Sequence, residues 1–191
     1  VQLSGLVDGY IAPGPDTDVV IAPPNDAAVT GPAAPRSINS LTLGDGSAYD
    51  HSLTLQTGGP LTVATTVAVN TSGTLEAAAG GLTAGQVTVT GAAHLANALD
   101  IDALNSGGTT QFSAGASGTV GALTVTAGTT TLAGGTTHIA AATVAGGAFV
   151  ADAGSIGLLT VNSGQTAQFG GTATVDALAG LRRRDRQPCV H

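Results

Sequence analysis

The chain has 191 residues, among them 29 Gly, 34 Ala and 28 Thr, with one Glu, five Arg and no Lys, Met or Trp. So few long charged side chains exclude a helical bundle, whose faces want Glu, Lys, Arg and Gln, and 42% hydrophobic against 9% charged residues excludes wholesale disorder. The net charge of −7 divides into −10 over residues 1–180, where Arg36 stands against eleven acids, and +3 over residues 181–191; a body with one cation cannot neutralise a run of phosphates, which excludes nucleic acid as its partner, and anionic lipid repels it.

Residues 1–36 hold six of the eight prolines. They read as a Pro-rich N-terminal arm or cap. Its apolar run Asp18-Val-Val-Ile-Ala22 predicts one short strand, because proline cannot donate to a central ladder. No basic segment followed by an apolar run opens the chain, so a secretory signal is expected to have been removed or to lie upstream. No run of about 18 apolar residues predicts a membrane span. Residues 181–191 break the composition with four arginines and the single Cys189. They read as a basic, disordered tail, and one cysteine allows no intrachain disulfide.

Between them, residues 37–180 repeat one phrase. A short alternating strand is followed by small polar residues, a glycine and another short strand. Leu123-Thr-Val-Thr-Ala-Gly128-Thr-Thr-Thr-Leu132 and Leu159-Thr-Val-Asn-Ser-Gly164-Gln-Thr-Ala-Gln-Phe169 show it most clearly. Looser copies surround Gly46, Gly73, Gly91, Gly107 and Gly146. Anchored on Val69, Val89, Leu104, Val125, Val144, Val161 and Leu178, the steps are 20, 15, 21, 19, 17 and 17, a mean near 18. A fixed period of this length signals a solenoid. Thr and Val suit a pleated surface, alternation sends every second residue inward, and Gly and Asn accept the positive φ of tight corners. One coil cannot bury its inner face alone, whereas stacked coils share a continuous core. The expected fold is all-β, a parallel β-helix (β-solenoid) of about seven to eight coils. A β-sandwich is the rival, but its core wants more aromatics and clearer hairpin signals. Phe112, Phe149 and Phe169 follow turn glycines and are expected inside the column.

The stretch Pro13-Gly-Pro-Asp-Thr-Asp-Val-Val-Ile21, a Pro-rich spacer and then Ser37-Ile-Asn-Ser-Leu-Thr-Leu-Gly44 resembles the opening of bacterial surface proteins with autotransporter-like β-strand repeats. The Leu-Thr-Val-x-x-Gly repeats of the body are similar as well, so the resemblance covers roughly residues 13–180. It implies an exported, right-handed parallel β-helix, the passenger or stalk region of a larger protein. It implies no catalytic residues and no cofactor. Localisation is then expected to be secreted or cell-surface. The partner expected is a cell-surface or carbohydrate ligand, and the two exposed ends of a solenoid, each a template for pairing, allow further repeats of a larger parent chain or end-to-end contacts between solenoids.

Parallel β-helices also host carbohydrate-active enzymes, so candidate chemistry is weighed on its residues. A lyase acting on uronic acids needs a cation for the carboxylate and a base for the α-proton; the body offers only Arg36. A glycosidase needs two carboxyls about 5–5.5 or 6.5–9.5 Å apart. Asp100 and Asp102 alternate on one predicted strand, roughly 6.5–7 Å apart on one face, and form the alternative catalytic pair. The blander reading is a solvated outer face. Asp176 takes the same repeat position as Asp102 four coils away, roughly 19 Å at the inter-strand spacing, too far for a dyad. His51, His94, His138 and His191 fall at different repeat phases, whereas zinc needs three or four converging ligands. Asp45 and Asp50 near a glycine turn are the weak calcium candidates, although turn chemistry explains them too. No metal is expected to be needed for folding. Thr pairs such as Thr88/Thr90, Thr124/Thr126 and Thr129/Thr131 raise ice binding, but other coils replace them and break the array. The expected function is a non-enzymatic structural or adhesive segment of an exported surface protein.

Overall fold

Alternation makes strands of this chain, and its glycines bend the strands into coils. The structure, a computed structural model, describes residues 12–179. The tail expected at 181–191 and the first eleven residues of the arm lie outside the described residues. The first turn is β1 (Asp18–Ile21) and β2 (Ala27–Thr30), and β3 (Arg36–Ile38), β4 (Ser40–Leu43) and β5 (His51–Thr54) follow. Then come β6 (Leu61–Val69) with β7 (Gly73–Ala77), and β8 (Leu82–Val89) with β9 (Ala92–Leu95). The central turns are β10 (Ala98–Ser106) with β11 (Thr109–Phe112), and β12 (Ser117–Val125) with β13 (Thr129–Leu132). Next are β14 (Thr136–Val144) with β15 (Ala148–Ala151), and β16 (Ser155–Val161) with β17 (Thr166–Phe169). The last is β18 (Thr174–Ala179).

One sheet runs β1-β4-β6-β8-β10-β12-β14-β16-β18, with β3 also against β6, and the other runs β2-β5-β7-β9-β11-β13-β15-β17. Neighbours pair in parallel from the first rung to the last. This is an all-β parallel β-solenoid. Nine levels stack among the described residues, not seven to eight. The added level comes from the proline-rich segment, where β1 pairs with β4 and β2 with β5. Pro23 and Pro24 lie between β1 and β2, and Pro32 and Pro35 between β2 and β3. Each proline sits in a connection, where its missing N–H costs no ladder bond.

Register keeps the period near 18 and moves two of its anchors. One inner column runs Leu43, Val69, Val89, Ser106, Val125, Val144, Val161. Leu104 and Leu178 belong to the neighbouring column, with Leu123, Ala142 and Leu159 between them. With Ser106 in place of Leu104, the steps from Val69 become 20, 17, 19, 19 and 17.

The nine-residue β10 shows how a strand supplies two sides of a coil. Leu99 and Ile101 are buried, then Leu104 and Ser106, with the exposed Asp102 and the half-buried Ala103 consecutive between them. Two outward residues in a row break the period of two, and the strand turns a corner there. The short partner strand closes the third side. Backbones crowd at this corner: a Cβ on Gly121 would stand 2.6 Å from the Asp102 carbonyl oxygen of the preceding turn.

Ser106 explains a polar patch inside the column. Its Oγ lies 2.9 Å from Thr110 Oγ1 and receives a bond of 2.8 Å from Thr130 Oγ1, all three residues fully buried. Removing one buried partner strands the others, at about 1–3 kcal/mol, while replacing all partners by apolar groups of similar shape is nearly neutral. Ser106→Ala is therefore expected to lower the urea midpoint. The triple change Ser106→Val, Thr110→Val, Thr130→Val is expected to restore it, since Val89 and Val125 already flank Ser106 in its column.

Phe112 and Phe149 are fully buried, as the repeat pattern predicts, but Phe169 is 46% exposed. Phe112 stands in register between Leu95 and Leu132, whereas among the described residues Phe169 has a register partner on one side only, Ala151, because β17 ends its sheet. The Phe169 ring meets Phe149 edge-on, with centroids 6.3 Å and planes 65° apart. Burial of a ring in a solenoid thus depends on having a turn on both sides.

Candidate functional site

Asp100 and Asp102 come from the same strand, and both are exposed on the outer surface. Asp100 sits in an outward row between Thr83 and Thr119 of the adjacent turns, and Thr119 Oγ1 donates to its Oδ1 at 3.3 Å. Asp102 stands at the corner where β10 bends. The two carboxylates therefore occupy a side and an edge of the rod. Asp176 lies on β18, four turns from Asp102 by register, and is exposed.

Asp45 and Asp50 lie on the loop between β4 and β5. Asp45 Oδ1 accepts the Ser47 N–H at 2.8 Å, closing a local turn. The bond from the Ser47 side chain, followed by the Ser47 backbone N–H, holds the Asp45 carboxyl below the ordinary aspartate range. Asp50 spends its backbone N–H on Asp26 Oδ1, at 3.0 Å. Asp26 was not singled out from the sequence, yet it lies one turn before Asp50. His51 points inward and is buried, and its Nε2 bonds the Pro23 carbonyl oxygen at 3.0 Å. Beside it Ser72 Oγ accepts the N–H groups of Asp45 and Gly46, at 3.3 and 3.1 Å. Asp26, Asp50, His51, Ser52 and Thr74 line an open hollow of about 380 Å³ with Ala27 and Ala28. Among the described residues no three His, Cys, Asp or Glu side chains come together as metal ligands would.

The histidines divide among different sides of the coil. His94 Nδ1 donates to Glu76 Oε1 at 2.7 Å, on the outer face of the short-strand sheet. His138 Nδ1 lies 2.9 Å from Ser155 Oγ, on the outer face of the long-strand sheet. Both contacts link residues one turn apart, 18 and 17 positions in sequence. A search at the repeat period would have found them, and also Asp18, which accepts from Asn39 Nδ2 at 2.7 Å and Ser40 Oγ at 2.6 Å. The threonine pairs separate. Thr88, Thr124, Thr143 and Thr160 share one outward row, interrupted by Asn105. Thr90 and Thr126 instead bond the carbonyls of Val69 and Ser106 at the corners, at 3.3 and 3.2 Å.

The bonded carboxylates give a sign to the pH dependence. Ser40 first and Asn39 second lower the Asp18 pKa, as Ser47 lowers that of Asp45. A carboxyl lowered on folding stabilises the folded chain above the unfolded value of about 3.9, and loses that contribution as pH falls through its lower folded value. Urea midpoints are expected to fall over this acid window. The fall is expected to be shallower in the double variant Asp18→Asn, Asp45→Asn, whose side chains do not titrate.

No helix among the described residues is long and apolar enough to cross a membrane. Comparison of the chain with protein-family models, with curated proteins and with solved structures finds no match.

Proposed function

We propose that this chain is a non-enzymatic structural or adhesive segment of an exported bacterial surface protein, acting as a rigid spacer. One observation carries the reading: inner columns run unbroken from the first rung to the last. From Val19 the register passes through Leu41, Val67 and Val87 to Leu104, and from there to Leu178. Nine levels at about 4.8 Å each make a rod of roughly 43 Å. Because each level hydrogen-bonds the next, length is added without added flexibility. The outer faces are mainly Thr and Ala, with Gly, Asp and Gln among them, and the body's net negative charge favours solubility over adhesion to anionic surfaces. The opening motif of the bacterial surface repeats coincides with the start of the solenoid: its Asp18–Ile21 is β1, and its Ser40–Leu43 is β4. That coincidence supports export and surface display.

The test is set against the other reading, a glycosidase using Asp100 and Asp102. Reducing-end release from a panel of neutral and acidic polysaccharides is measured for the wild type and for Asp100→Asn with Asp102→Asn. No release by either protein is expected. The double change is expected to alter stability by no more than about 0.5 kcal/mol, as exposed substitutions usually do. Turnover by the wild type that disappears in the variant overturns the spacer reading.

A further inference from the structure

Both sheets begin at one end of the rod and stop at the other. Among the described residues, β1 and β2 at the first end each pair on one side only, with β4 and β5. At the last end, among the described residues, β17 and β18 pair only with β15 and β16. Each end therefore carries two strand edges whose backbone groups can template another strand. Each end also carries an apolar hollow. That at the first end is about 390 Å³ and includes Val19, Ile21 and Val29; that at the last is about 340 Å³ and includes Leu159, Ala167, Phe169 and Leu178. Leu178 is 53% exposed, far from the near-complete burial of the residues in its column further back.

The two ends match in register. The inner column that starts at Val19 finishes at Leu178, and the one that starts at Val29 finishes at Ala167. Strand direction is the same throughout, so a rung like the first, set on the last, continues both sheets in parallel. The charges differ in the same sense. Asp16, Asp18 and Asp26 stand at the first end with no cation among them. In the sequence that follows β18, Arg182, Arg183, Arg184 and Arg186 stand against Asp185, a net +3 over residues 181–191. By sequence charge, then, the segment after β18 is opposite in sign to the acids of the first end, which favours joining last end to first over joining like ends.

We propose that the last rung, β17 and β18, docks the first rung, β1 and β2, of a second copy of this chain. In this head-to-tail joint Leu178 stacks on the partner copy's Val19 and Ala167 on its Val29. A heterologous contact of this kind does not close on itself, so association yields a series of growing rods.

Sedimentation velocity of the full 191-residue chain, from micromolar to millimolar concentration and at low and high salt, tests it. The wild type is expected to form dimers and longer species, weakened by salt because the charges screen. Leu178→Lys at one end, or Val19→Lys at the other, is expected to weaken self-association by at least about tenfold, a loss equal to 1.4 kcal/mol. Mixed in equal amounts, the two variants are expected to form a one-to-one dimer and nothing longer, since each keeps one intact end. Circular dichroism checks that each variant keeps the β spectrum. Should Val19→Lys not fold, the exposed double change Asp16→Lys, Asp26→Lys replaces it, with weakened association expected at low salt. A wild type that stays monomeric at all concentrations overturns the proposal. So does association unaffected by a change at either end, or a mixture that gives no dimer.

Discussion

Replacing Phe149 by alanine is expected to destabilise the protein by about 3–5 kcal/mol, and Phe112→Ala by a similar amount. Both rings are fully buried, each with a turn on either side. Truncation leaves a cavity in a narrow column whose walls are strands tied to their neighbours by ladder bonds, so the walls cannot collapse to fill it. Phe169→Ala is expected to cost far less. Its ring is half exposed and its main aromatic contact is one edge-to-face pair with Phe149, a contact worth about 0.5–1.5 kcal/mol beyond burial. Urea unfolding of the three variants checks the order. Equal losses at all three positions would mean that Phe169 is covered as Phe112 is.

Gly118→Ala is expected to rank with the phenylalanine changes. Gly118, the second residue of β12, has a φ of +101°, and a Cβ there would clash with the Leu99 carbonyl oxygen on the turn below. The backbone strain costs about 1–3 kcal/mol. Relieving the clash moves a backbone that is itself bonded to its neighbours, at about another 1–3 kcal/mol. Gly164 separates the two causes. Its φ is +82°, but nothing lies within 4 Å of an added Cβ, so Gly164→Ala is expected to cost only the strain. A smaller loss at Gly118 than at Gly164 would show that close approach between turns does not constrain the corner.

These two residues also mark how far the fold was legible. The Phe positions follow the repeat phrase, and phase alone predicts them inside. It predicts Phe112 and Phe149 well and fails at Phe169, because phase says which side of the strand a residue takes and not whether another turn covers it. The anchors fail for a related reason. Leu104 looks like the last apolar residue before its turn, but Ser106 occupies the inner position, its hydroxyl satisfied by Thr110 and Thr130. A buried serine cannot be told from an exposed one until its partners are known. The proline segment was readable as one strand, and its second strand, Ala27–Thr30, was not, since four residues with two alanines carry little strand signal of their own.

The candidate site divides in the same way. That Asp100 and Asp102 lie on an outward face follows from alternation with Leu99 and Ile101. That Asp102 stands at a bend follows only from the packing of successive corners, where Gly121 approaches its carbonyl. The contacts of Glu76 with His94, of Asp18 with Ser40, and of Asp50 with Asp26 all join residues one turn apart. The sequence by itself determined the strand and turn composition, the inward and outward alternation and a period near 18, because β-branched residues, alternation and glycine act locally. Only the tertiary structure decided the register between turns, the corner within each long strand, the burial of each ring and the pairing of each charge. Those depend on which turn lies above and below, and a difference of two residues in turn length, invisible to local propensity, shifts every one of them.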